Sequence, residues 1–340
     1  MRILLLLVMT LPVAAQNLYE EDVAASKGNR DANWRQLDAY VTRLEWSDLR
    51  GALARQIGFP APGLALRGAP RVEKAGEDEL GTYQRLWIPV AEGVEAHGLL
   101  LLPRNRKGRV PLVVAQHGGG GTPELALFRG GANYHDMIRG AMREGYAVWA
   151  PLMVMYPYVD RDHGTAIPAD VRERLEARLR LCGTTLVALE LTKLKLSLDY
   201  LLKRPEFDGG KVAFVGLSYG GFVAAYAAAF DPRIKAVVAS CSLREWKATD
   251  PDVWQPTGRP FYRPFEEVWS LSAPRAVQLQ VGRNDKLIPV AGAREVASKV
   301  RKHWSAAPDR FEFLEFEGGH EWRGDIAWRF LRKHLDAAGR

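Results

Sequence analysis

Lys211-Val212-Ala213-Phe214-Val215-Gly216-Leu217-Ser218-Tyr219-Gly220-Gly221 is the stretch that decides how this 340-residue chain is read. Up to Leu217 it is a short apolar run rich in Val, the pattern of a buried strand. The Ala-rich segment Tyr219–Phe230 follows at once and reads as a helix. Between the two lies Gly216-Leu217-Ser218-Tyr219-Gly220, a G-x-S-x-G pattern whose meaning depends on this strand-turn-helix setting. So sharp a turn strains the backbone and crowds its neighbours, which is why positions 216 and 220 carry no side chain. The turn lifts the Ser218 hydroxyl off the sheet, and the helix N-terminus beneath it favours negative charge developing there. A nucleophilic serine is expected, rather than a surface serine in a glycine-rich turn.

A serine hydroxyl is a weak nucleophile at neutral pH and needs a base. The motif predicts an acid and then a histidine further along the chain. Ala276–Val281 reads as a strand, and Gly282-Arg283-Asn284-Asp285 follows its end. Phe311–Phe316 is the next strand, followed by Glu317-Gly318-Gly319-His320. Functional groups of open α/β sheets gather at strand C-terminal ends. Asp285 is therefore the expected acid and His320 the expected base, with Asp250 or Asp252 as alternative acids. No HExxH pattern occurs, and neither metal nor cofactor is expected.

Upstream, Val110–Gln116 ends at His117-Gly118-Gly119-Gly120-Gly121. Glycines there let backbone N–H groups approach a developing oxyanion, and losing one such donor costs on the order of 3 kcal/mol. Gly118 or Gly119 is the expected donor, partnered by the N–H of Tyr219, the residue after the nucleophile. A phosphate loop would need Lys-Ser/Thr after the glycines, and Thr122-Pro123 stands there instead. His117 reads as a structural hydrogen-bonding residue.

Working outward, strands are expected at Tyr83–Val90, Ala96–Leu102, Tyr146–Met155 and Ile234–Ser240. Helices are expected at Tyr134–Arg143, Ala169–Arg180, Leu186–Leu202, Val290–His303 and Trp322–Leu335. Short apolar strands alternating with helices mean a mostly parallel sheet covered on both faces. Asp31 to about Ile57 is helical in pattern, with Ser47 as a candidate N-cap and Pro60 and Pro62 beyond its end. The expected organisation is a helical extension over 16–82 packed on the core, then a catalytic domain over 83–340. Within it Leu243–Ala273 is long and aromatic, a candidate lid or pocket wall. Its Trp246 and Trp254 are candidate substrate-binding residues that could stack on sugar or aromatic acyl groups.

Composition fits a globular chain, with 47% hydrophobic and 26% charged residues, and excludes disorder and coiled coil. The net charge of +7 is spread over mixed faces, so no nucleic-acid partner is expected. Arg2, the apolar run Ile3–Leu11 and Val13-Ala14-Ala15 read as a signal peptide over residues 1–15, the alternative being an uncleaved anchor. Export to the periplasm or beyond is expected, with no stable membrane insertion after cleavage. Cys182 and Cys241 are equally compatible with a disulfide and with two buried thiols.

With these elements placed, the chain resembles the α/β-hydrolase superfamily, and within it the dienelactone hydrolase and acetyl xylan esterase-like group. Further stretches carry the likeness: Gly183-Thr184-Thr185-Leu186, Asp199-Tyr200-Leu201, Arg204-Pro205-Glu206, Asp231-Pro232-Arg233-Ile234 and Ser240-Cys241. It runs from about Trp46 to Leu335. The resemblance implies the α/β-hydrolase fold, with Ser218, Asp285 and His320 as nucleophile, acid and base. It implies esters as substrates, small acyl groups on carbohydrate or related small molecules. Ser218-Tyr219-Gly220-Gly221 is also similar to prolyl oligopeptidase-type peptidases, but about 80 residues before the core sheet are too few for their propeller. A small serine peptidase and a lactone hydrolase are the alternatives.

Overall fold

Consecutive residues of the central strands are buried on opposite sides, and this sets the architecture. Leu112 and Val114 belong to one apolar cluster, Val113 and Ala115 to another. A sheet with both faces covered needs continuous apolar strands rather than alternating ones. The computed structural model of the protein describes residues 13–104, 108–128, 133–153, 169–243 and 265–336. By contact the chain divides into two units, residues 1–52 and 53–340. The first holds the helix α1 (Val13–Ser47) and the start of α2 (Leu49–Ile57). Asp48, not Ser47, opens α2: its carboxylate accepts from Gly51 N at 2.9 Å, while Ser47 Oγ donates back to Leu44 O. No described helix is long and apolar enough to cross a membrane.

In the second unit the strands are β1 (Arg71–Glu77), β2 (Gly81–Ala91), β3 (Val94–Pro103), β4 (Val110–Gln116) and β5 (Ala147–Pro151). They continue with β6 (Phe207–Leu217), β7 (Ile234–Ser240), β8 (Ala276–Gly282) and β9 (Phe311–Phe316). Among the described residues they form one sheet in the order β1-β2-β3-β5-β4-β6-β7-β8-β9. The first three strands and the β3–β5 pair are antiparallel, and every pair from β5 to β9 is parallel. One face is covered by α6 (Leu186–Leu201), which follows α5 (Ala169–Leu181), and by α7 (Tyr219–Phe230), α8 (Phe265–Ser270) and α9 (Val290–Arg301). The other carries α3 (Pro123–Phe128), α4 (Met137–Arg143) and α10 (Gly324–Leu331). This is the mostly parallel, doubly covered sheet that the sequence predicts.

Several expectations are corrected. β1 lies where a helical extension is expected. Its Arg-Val-Glu-Lys-Ala-Gly-Glu sequence is polar and mostly exposed, as suits an edge strand. β5 ends at Pro151 rather than Met155, and α10 (Gly324–Leu331) begins two residues later than Trp322, with a π-helical turn over Arg332–Asp336 carrying it past the expected end at Leu335. α4 starts at Met137, not Tyr134, because His135 and Asp136 adopt left-handed φ of 43° and 57°. The segment Leu243–Ala273 contains α8, whose Phe265, Val268 and Trp269 are buried in the core. Trp246, Trp254, Asp250 and Asp252 lie outside the described residues.

The stretches that carry the resemblance fasten the layers. The Thr185 hydroxyl caps α6 by accepting from Ala188 N, and itself donates to Ile57 O at 2.8 Å. Arg233 pairs with both Asp231 and Asp199 at 2.6 Å, tying the entry to β7 to the end of α6. The Asp231 pair is multiply bonded and both pairs are partly buried, the geometry in which ion pairs hold elements in place.

Candidate active site

The register of the parallel strands brings the expected site residues to one end of the sheet. Leu217 pairs with Ser240, Ser240 with Gln280, and Gln280 with Leu314. Ser218, Asp285 and His320 each follow within a few residues of that row, all at strand C-terminal ends.

Ser218 sits at φ 57° and ψ −119°, a conformation that L-residues avoid. Such strain costs about 1–3 kcal/mol and lasts only where its surroundings enforce it. Here Ser218 N donates to Ser240 O at 2.8 Å, and Ser218 O accepts from Gly221 N and Phe222 N at 2.9 and 3.1 Å. The two flanking glycines are steric necessities. A Cβ on Gly216 would lie 2.3 Å from the Gly220 carbonyl, and one on Gly220 would lie 2.3 Å from Gln116 O. The chain can turn from β6 into α7 only through these close backbone approaches.

His320 Nδ1 and Asp285 Oδ2 are 2.8 Å apart. The other oxygen, Asp285 Oδ1, accepts from Leu287 N at 2.8 Å and Ile288 N at 2.9 Å. Burial pushes the Asp285 carboxyl up, but the His320 bond and the two N–H groups outweigh it and hold the acid below its ordinary range. An ionised Asp285 can only accept, so the proton between them belongs to His320 Nδ1, leaving Nε2 as the basic nitrogen. The acid and base loops also touch directly, since a Cβ on Gly282 would lie 2.1 Å from Gly319 O.

The glycine loop after β4 lies against the serine turn. A Cβ on Gly118 would be 3.4 Å from Ser218 Cβ. Gly118 is bonded at both ends: its N–H donates to Tyr134 Oη at 2.9 Å, and its carbonyl accepts from Gly121 N at 3.1 Å and His117 Nδ1 at 2.8 Å. His117 Nε2 accepts from Met153 N at 3.3 Å, which assigns the ring proton to Nδ1. Burial holds the His117 pKa down to about 4, so the ring is neutral. A trans peptide sets C=O and the following N–H in opposite directions. The held Gly118 carbonyl therefore turns the N–H of exposed Gly119 away from His117 and Gly121. Of the two glycines left open by the sequence, Gly118 has its N–H committed to Tyr134. Tyr219 opens α7, where backbone N–H groups lack intrahelical acceptors.

Comparison with known proteins bears on the fold. Residues 187–321, from α6 to just past His320, match the family model described as X-Pro dipeptidyl-peptidase (S15 family). The solved structure of methylesterase BT1017 superposes with a TM-score of 0.66 at 16% identity, covering 90% of this chain and 69% of that one. The chain has the α/β-hydrolase fold. A Bacteroides fragilis protein named as an acetyl xylan esterase gives a TM-score of 0.63 at 18% identity, over 81% of this chain and 75% of its own. A carbohydrate esterase family 15 glucuronoyl esterase from Teredinibacter turnerae gives 0.60 at 16% identity, over 85% of each chain. A Bacillus subtilis protein named as a hydrolase, YtaP, is 27% identical over 285 residues, covering 76% of this chain and 90% of that one.

Some neighbours of this site escape sequence reasoning. Cys241, at the end of β7, adopts φ 50° and is buried within 4.8 Å of donor atoms of Asp285 and His320. Burial and the Asp285 charge push its thiol up to about 12, so it stays protonated at neutral pH. Cys182 is exposed rather than buried, and both cysteines are free. Asn133, Tyr134 and His135 are a second omission: no motif flags them, and each bonds to the glycine loop or to the segment around His320.

Proposed function

We propose that this α/β-hydrolase is a serine carboxylic-ester hydrolase with Ser218 as nucleophile, His320 as base and Asp285 as acid. The observation that carries the reading is the 2.8 Å His320–Asp285 pair at the same sheet end as a serine held at positive φ. Ser218 Oγ attacks the ester carbonyl carbon while its proton passes to His320 Nε2. The Asp285 carboxylate keeps the ring proton on Nδ1 and stabilises the imidazolium. The tetrahedral oxyanion accepts hydrogen bonds from the Gly119 and Tyr219 N–H groups. The intermediate collapses as His320 gives its proton to the leaving alcohol. Water, deprotonated by the same nitrogen, then cleaves the acyl-serine.

For substrate we infer small acyl esters of carbohydrate or related alcohols. The reading rests on the carbohydrate-ester names of the structural relatives and on the acetyl xylan esterase-like motifs. Residues 1–15, with their basic start and short apolar run, support action outside the cytoplasm. The match of residues 187–321 to a peptidase family favours a second reading, cleavage of short peptides at the same serine.

The deciding experiment is hydrolysis of p-nitrophenyl esters from acetate to dodecanoate, wild type beside Ser218→Ala, with peptide anilides in parallel. Turnover highest on acetate and lost in the variant is the expected result. Amide turnover without ester turnover would replace the esterase reading with the peptidase one.

A further inference from the structure

Catalysis by this arrangement needs two parts held at a fixed separation: the Gly119 N–H that meets the oxyanion and the His320 ring that moves the proton. They stand on different loops, one after β4 and one after β9. The segment Asn133–His135 reaches both. Tyr134 Oη, on a residue only 6% exposed, accepts from Gly118 N at 2.9 Å. The same hydroxyl fills the space beside Gly121, where a Cβ would lie 2.3 Å from it. One residue earlier, Asn133 Nδ2 donates to His320 O at 3.3 Å, and Asn133 O accepts from Trp322 N at 2.8 Å. One residue later, His135 Nε2 meets Glu321 Oε2 at 2.7 Å. Three consecutive side chains thus alternate between the two loops.

The backbone of the segment carries the cost of this reach. His135 at φ 43° and Asp136 at φ 57° are neighbouring non-glycine residues in the left-handed region, and α4 cannot begin until Met137. Strain of this kind survives only where tertiary bonds fix it, and it clusters where geometry matters to function.

We propose that Asn133–His135 is a positioning clamp that sets the oxyanion loop against the base loop, with Tyr134 as its principal residue. The inference rests on the ester-hydrolase reading above. Tyr134 does not touch the reacting atoms; it acts through Gly118. With both the N–H and the carbonyl of Gly118 tied, the peptide plane that carries the Gly119 N–H cannot rotate. A misplacement of about 1 Å in such a group costs on the order of 100-fold in rate, so a loosened plane lowers kcat and leaves ground-state binding nearly unchanged.

The test compares full-length wild type, Tyr134→Phe and Asn133→Ala on p-nitrophenyl acetate. Rates are normalised to sites titrated with an organophosphonate, and hydrogen exchange is followed at the Gly118 amide. Tyr134→Phe should lower kcat per titrated site about tenfold with KM within twofold, and leave the pH profile of kcat/KM in place. Its Gly118 amide should exchange at least tenfold faster. Asn133→Ala should lower kcat at least fivefold with Gly118 exchange unchanged, since it loosens the other end. A merely structural role would reduce the titratable fraction and the Tm but not kcat per site, and that result overturns the clamp. If Tyr134→Phe does not fold, Asn133→Ala and His135→Gln carry the same comparison, and kcat within twofold in both overturns it. Should wild type neither react with the phosphonate nor turn over ester, the ester-hydrolase reading fails, while Gly118 exchange still decides the clamp. Unchanged exchange in Tyr134→Phe would then refute it.

Discussion

Replacing Asp285 by Asn probes the His320–Asp285 pair with the smallest change of shape. Asp285 spends one oxygen on two backbone N–H groups, at 2.8 and 2.9 Å, and the other on His320 Nδ1 at 2.8 Å. In Asp285→Asn the amide oxygen keeps the two backbone bonds, because turning it toward His320 would leave both N–H groups facing an NH2. The amide nitrogen must then face His320 Nδ1, and a donor there forces Nδ1 to become an acceptor. The ring proton moves to Nε2, the nitrogen that should receive the Ser218 proton. The variant thus retains its fold, its steric fit and its oxyanion donors, but holds the wrong tautomer. A loss of about 10⁴-fold in kcat is expected, some 5.5 kcal/mol of transition-state stabilisation. The assay is p-nitrophenyl acetate hydrolysis alongside the rate of phosphonate labelling at Ser218, which needs the same base and should fall in step. A Tm within a few degrees of wild type shows that the loss is chemical. A loss of less than tenfold would refute the reasoning and move the acid role to Asp250 or Asp252.

Three further outcomes follow from separate features. Ser218→Gly abolishes turnover yet stabilises the protein, because glycine relieves the left-handed strain of about 1–3 kcal/mol and returns about 0.5–1 kcal/mol to unfolded-state entropy; a urea midpoint above wild type checks it. His117 is neutral in the fold, with its pKa held down to about 4 by burial against about 6.5 unfolded, so protons favour the unfolded chain. Its share of stability is complete above about pH 6.5 and falls by about 2 kcal/mol between pH 7 and pH 4.5, a slope that His117→Gln should flatten in urea titrations at the two pH values. A thiol reagent should modify one cysteine, Cys182, in the native protein and both in denaturant, since Cys241 is buried and protonated; two native modifications would contradict the burial.

Much of the sheet was legible because parallel strands buried on both faces leave continuous apolar runs, and β4, β5, β6 and β7 all have one. The serine turn was legible for a different reason: its two glycines answer to backbone contacts only 2.3 Å away, so the steric demand is written locally. The residues proposed as acid and base stand out in the sequence by their order along the chain and their positions after strands. β1 was missed because an edge strand exposes its side chains and needs no apolar pattern. α8 was missed because its buried Phe265 and Trp269 sit in a run of aromatics with no helical period long enough to recognise. The choice between Gly118 and Gly119 was beyond the sequence, since it turns on a hydroxyl sixteen residues away. Tyr134, read as the first residue of a helix, is instead spent on a tertiary bond, and no local propensity records that.

The strained serine turn has a consequence for how the protein comes into being. Its φ is enforced by a bond from Ser218 N to Ser240 O, on a strand made later in the chain. The histidine that would activate it arrives about 100 residues after the serine itself, once β9 has docked at the edge of the sheet. Until those segments have been synthesised and paired, Ser218 is an ordinary hydroxyl in a relaxed chain, no more reactive than any other serine. The nascent or partly folded polypeptide is therefore chemically silent. Acquisition of phosphonate reactivity marks the last step of assembly, and a truncation before β9 should give a soluble or insoluble product that never labels.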